Sequence, residues 1–68
     1  MSNDLTFHES VKEAIALALI QMMENKKISD ITILEIVKKA GVGRSSFYRN
    51  FDNKEDVINY YINLLFDN

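Results

Sequence analysis

Between Ala40 and Lys54 the chain sets Gly41 and Gly43 just ahead of Arg44, Ser45, Ser46, Tyr48, Arg49 and Asn50. Guanidinium, hydroxyl, phenol and amide groups so close together form hydrogen bonds well and break covalent bonds poorly. Ser45 and Ser46 have no base near them in sequence, and the lone histidine, His8, stands far upstream, so a nucleophile-base pair is not formed. A nucleotide loop is also excluded. GxGxxG starting at Gly41 would need glycine at 46, where serine stands, and no strand precedes it. The chemistry that fits is recognition: donors and acceptors displayed to phosphate oxygens and base edges.

Charge supports this. From residue 38 to residue 54, Lys38, Lys39, Arg44, Arg49 and Lys54 oppose Asp52 alone, a local excess of +4 in a chain whose formal net charge is −2. Cations gathered around one turn are rewarded by counterion release when they meet a polyanion.

These side chains need a scaffold, and the rest of the chain reads as helices. Thr32 and Glu35 are spaced as a capping box, with Ile31 and Ile36 placed as a hydrophobic staple around it. Ile33, Ile36, Val37 and Ala40 then form one apolar face, and Gly41 ends the helix where a left-handed residue is needed. Val42 can fold back onto Val37. Gly43 or Arg44 opens a third helix, with Val42 and Phe47 as its staple and Phe47 and Phe51 on its buried side. Arg44, Ser45, Tyr48 and Arg49 fall on the other side. Two readings of Tyr48 stay open: a ring packed beside the phenylalanines, or a hydroxyl offered to a phosphate. Two short helices about a tight turn, the second one polar, make a helix-turn-helix.

Upstream, Thr6 with Glu9 is a candidate capping box and Ser10 with Glu13 a second start, leaving Met1 to Leu5 as a frayed end. Val11, Ala14, Ile15, Ala18, Leu19 and Met22 recur with helical spacing. Leu17, Ile20 and Met23 lie off that stripe, so this helix is expected at the centre, contacted from several directions. Its end is expected near Asn25, with Lys26 and Lys27 suiting the negative end of its dipole. Downstream, Asp52 or Asn53 caps a fourth helix that carries Glu55 and Asp56 in its first turn. Val57, Ile58, Tyr61, Ile62, Leu64, Leu65 and Phe66 wrap more than half of its circumference. One side of it has nothing left to cover it and looks built to meet more protein.

Size and composition set the remaining limits. At 68 residues this is one small domain, near the lower limit for a single core. With no cysteine and one histidine, neither a disulfide nor a metal site is available, and no cofactor or catalytic residue is expected. The longest apolar run, Ala14 to Ile20, is too short to span a bilayer, and no signal peptide precedes it, so no membrane partner and a cytoplasmic location are expected.

Thr32-x-x-x-Ile36-x-x-x-Ala40-Gly41-Val42, followed by Tyr48-x-x-Phe51-x-x-Lys54-Glu55-Asp56-Val57, resembles the N-terminal DNA-binding domain of TetR-type transcriptional regulators. The resemblance runs over nearly the whole chain, 1–68. It implies an all-α, homeodomain-like bundle of three helices plus the start of a fourth. By the same resemblance, a homodimer of the full-length protein would bind a palindromic operator in double-stranded DNA as a repressor. A C-terminal helical domain, for which this chain has no room, would bind an inducer. Carried over by position, Thr32, Tyr48 and Lys54 would hold phosphates, and Arg44 and Ser45 would face base edges. Ser46 and Arg49 would sit at the border between the two, with Asn50 standing where the family often has a phosphate-binding histidine. Gly43 replaces a common capping serine, and Lys27 a common glycine. An alternative function is a helical protein-interaction module that docks through the apolar fourth helix.

Overall fold

Helix α1 (Asn3–Met22) lies at the centre of a bundle completed by α2 (Ile33–Ala40), α3 (Arg44–Asn50) and α4 (Lys54–Phe66), with a 3-10 turn at Ile28–Asp30 between α1 and α2. The computed structural model describes residues 3–66, with side chains from Val11 onward. No described residue lies in a strand.

The central position of α1 follows from its sequence. Ile15, Ala16, Ala18 and Leu19 are buried, and the helix packs against α2, α3 and α4. Small alanines beside branched residues let the neighbouring helices approach closely. The off-stripe residues are not all covered, however: Leu17 is 51% exposed and Met23 also faces solvent. Burial on α1 is therefore wide but not complete.

Both ends of α1 differ from expectation. It starts at Asn3, not at Thr6 or Ser10, so residues 3–5 belong to the helix. Residues 3–10 contain no glycine or proline to stop it. The side chains of Thr6, His8 and Glu9 lie outside the described residues. At the other end the helix closes at Met22, and the amides of Asn25 and Lys26 both reach back to the Met22 carbonyl. No basic residue lies in its last turn. Lys26 is instead committed to Glu35 of α2, 3.2 Å away.

The core joins these α1 residues to Ile31, Ile36, Val37, Phe47, Phe51 and Val57, all buried, with no buried polar side chain among the described residues. Val11, Met22, Ile33, Val42, Ile58, Tyr60 and Tyr61 pack around it. Lys12 lays its ammonium over the rings of Phe51 and Tyr60, 5.9 and 5.5 Å from their centroids, so α1 and α4 also meet through a cation on aromatic faces. Past Tyr61 the core gives out. Ile62, Leu64, Leu65 and Phe66 are exposed, the last by 81%, as expected for a helix with an uncovered side.

Candidate nucleic-acid interface

Two local devices fix the helix-turn-helix. The first starts α2. The Glu35 amide donates to Thr32 Oγ1 and the Thr32 amide to Glu35 Oε1, both at 3.1 Å, which completes the capping box. Ile31 and Ile36, the staple around it, are both fully buried. The Thr32 amide and the Lys26 ammonium hold the Glu35 carboxyl below its ordinary value of 4.5. The Glu35 carboxylate is thus occupied by the fold.

The second device stops α2. Gly41 takes φ +78°, its amide reaching the carbonyls of Val37 (2.8 Å) and Lys38 (3.3 Å), and the Val42 amide reaches Val37 at 3.0 Å. This is a Schellman ending, in which a left-handed glycine satisfies the last carbonyls and turns the chain. Val42 folds back onto the core, Gly43 is the N-cap of α3, and its carbonyl receives the amides of Ser46 and Phe47.

On α3 the helical repeat of about 100° per residue separates the side chains into groups. Arg44, Ser45, Tyr48 and Arg49 share an arc of roughly 140°, and all four are exposed. Phe47 points the other way and is fully buried, and Phe51, just past the helix end, is buried beside it at a centroid distance of 5.7 Å. Tyr48 is packed on one side and open on the other. Its ring meets Phe47 edge-on at 5.3 Å while the residue stays 49% exposed. Among the described residues, no carboxylate pairs with Arg44 or Arg49.

Four of the expected residues, Thr32, Arg44, Tyr48 and Lys54, line one shallow, open cleft of about 520 Å³ between the starts of α2, α3 and α4. Ser45 and Arg49 lie on the same exposed arc of α3, outside the cleft lining. Ser46 and Asn50 occupy the flank of the helix. Both are half-buried, and the Asn50 amide donates to the Ser46 carbonyl at 2.7 Å, so this side chain is folded onto its own helix. Lys54 is the first residue of α4, where Asn53 accepts the Asp56 amide at 2.9 Å and so caps the helix. The Lys54 ammonium is half-buried and donates to the carbonyls of Ile28 and Ile31, at 2.8 and 2.7 Å. One of its three donors is left for any other partner.

The cleft also contains a residue that the sequence motifs do not mark. Leu34 lines it and is 51% exposed, next to Ile33. The available signal was a leucine one position off the apolar face of α2, in the first turn beside the cap.

The family model "Bacterial regulatory proteins, tetR family" matches residues 15–61, well over half of the chain, from the middle of α1 to the middle of α4. No curated protein and no solved structure matches the chain. With the capped α2, the glycine turn and the outward polar arc of α3 all inside the matched region, the chain belongs to the TetR family of bacterial regulatory proteins, and its helix-turn-helix is a DNA-binding domain of that family.

Proposed function

We propose that this domain recognises an operator sequence, with α3 lying in the major groove of duplex DNA. Arg44 and Ser45, at the N-terminal end of α3, read base edges, as first-turn residues of a recognition helix do. Thr32, Tyr48 and the remaining donor of Lys54 hold phosphates and fix the register, while Ser46 and Arg49 border the two sets of contacts; Asn50 stands at a phosphate-facing position with its amide turned onto the Ser46 carbonyl. The protein acts as a homodimer on a palindromic operator in the cytoplasm and represses transcription. An inducer bound by a further helical domain releases the DNA. Two half-sites one turn of DNA apart, roughly 34 Å, require such a dimer.

One observation carries this reading. Arg44 and Tyr48 of α3 converge with Thr32 of α2 and Lys54 of α4 on a single open cleft, while Phe47 and Phe51 anchor α3 from behind. The test is binding to random-sequence duplex DNA over a salt series, followed by selection of preferred sequences with wild type and Arg44→Ala. Steep salt dependence is expected, at about −0.9 in log-log slope per phosphate neutralised. Loss of Arg44 should cost about 1–3 kcal/mol of discrimination at one base pair. Absence of binding at low salt contradicts the proposal.

A second reading, a protein-docking module, draws on Ile62, Leu65 and Phe66, which stay exposed at the end of α4. It expects no salt-dependent DNA binding, so the same titration separates the two.

A further inference from the structure

Lys54 reaches across the fold in an unusual way. Its ammonium leaves the first turn of α4 and donates to the carbonyls of Ile28 and Ile31, 26 and 23 residues earlier in the chain. Those carbonyls bracket the 3-10 turn Ile28–Asp30 and the residue just before the Thr32 cap. Apart from the packing of Ile28 and Ile31 on the core, the turn has few bonds of its own. Lys27 at its start makes no side-chain cap, and its backbone bonds are Asp30 to Lys27 at 2.8 Å and Ile31 to Ile28 at 3.1 Å. Bonds of this type are geometrically poorer than those of an α-helix. Ile31 is fully buried and extended (φ −102°, ψ 126°), outside the hydrogen-bond ladder of α2, and its carbonyl takes Lys54 as donor. A lone ammonium therefore satisfies the corner from which α2 departs.

We propose that Lys54 is a positioning residue, whose two backbone bonds pin the corner that starts α2 to the start of α4 and so set the attitude of the helix-turn-helix. The path from the corner to α3 is stiff. Ile31 is followed by the capping box, the eight residues of α2 and the Schellman turn at Gly41. A shift at Ile31 is therefore carried to Arg44, not absorbed on the way. The inference rests on the DNA-binding reading but differs from a phosphate contact in what it predicts. A lysine that only touches phosphate weakens binding to all sequences alike. A lysine that aims the reading helix also changes which sequences are preferred.

The experiment compares wild type, Lys54→Met and Lys54→Arg. Methionine keeps most of the stem without a donor, and arginine keeps charge and donors. Backbone amide spectra of the free proteins are recorded from Ser29 to Glu35 and from Arg44 to Arg49, at a temperature where thermal unfolding shows each to be folded. Affinities are then measured for a duplex selected from a random pool with the wild-type chain, and for a scrambled duplex. Lys54→Met should shift both sets of amides and reduce the ratio of selected to scrambled affinity at least tenfold, and Lys54→Arg should restore most of that ratio. Unchanged amides in Lys54→Met overturn the proposal, and so does uniform weakening on both duplexes with the ratio intact. If wild type binds no duplex at all, the DNA-binding reading fails by itself, and the amide comparison still decides whether Lys54 sets the corner.

Discussion

Phe47 and Phe51 lie 5.7 Å apart between ring centroids, both buried, and together they decide which way α3 faces. The outward arc of Arg44, Ser45, Tyr48 and Arg49 follows from that anchor, because a seven-residue helix with two serines is not held by propensity. Phe47→Ala should destabilise the domain by about 3–5 kcal/mol, enough to unfold much of so small a protein. Phe47→Leu should cost less. Urea unfolding followed by circular dichroism checks both, and a loss below about 1 kcal/mol for the alanine variant would mean that the ring is not the anchor.

The two glycines of the turn should respond to substitution with opposite signs. Gly41 sits at φ +78°, and no atom lies within 4 Å of the place where an alanine methyl would stand. Gly41→Ala therefore meets no clash and costs only backbone strain, about 1–2 kcal/mol. Gly43 is extended at φ −92° and caps α3 without a side-chain bond. A serine there gains a cap and loses chain entropy in the unfolded state, and should stabilise by a few tenths of a kcal/mol to about 1. Thermal unfolding of the two variants reads the signs directly.

Glu35 gives the domain a pH response. Its carboxyl is held below its ordinary value of 4.5, first by the Thr32 amide and then by Lys26. A group depressed in the folded state stabilises fully above its unfolded value and loses that contribution as pH falls through the folded one. Stability should therefore be level near neutrality with respect to this group and decline below about pH 4.5. Glu35→Gln should be less stable than wild type at pH 7, with the difference narrowing in acid. A constant difference from pH 7 to pH 3 would contradict the assignment.

Much of this was legible in the sequence because it rests on local rules. The Thr32–Glu35 box, the Ile31–Ile36 staple, the left-handed Gly41 and the Val42–Phe47 staple each depend on residues within five positions of one another, so spacing alone exposes them. The two ends of α1 were not legible, because each depends on more than a local signal. Nothing in residues 3–10 breaks a helix, so the cap-like pairs there mark no start, and Lys26 is removed from the dipole by a partner nine residues on. Lys54 was legible as a cation but not as a clamp, since its partners are backbone carbonyls that only the fold brings near. Leu34 escaped because an exposed leucine leaves no periodic trace.

Tyr48 separates packing from recognition in a single substitution. Tyr48→Phe keeps the edge-on contact with Phe47 and removes only the hydroxyl from the exposed side. Stability should stay within about 0.5 kcal/mol of wild type. Affinity for duplex DNA should fall about tenfold or more, the scale of one hydrogen bond to a charged oxygen. Equal affinity of the two proteins would remove Tyr48 from the interface.

The most direct measurement is a map of backbone amide shifts as duplex DNA is titrated into the labelled protein. The largest changes are expected on Thr32–Leu34, Arg44–Arg49 and Lys54, fading as salt is raised. Changes centred on Leu17 and Ile62–Phe66, or none at low salt, would contradict it.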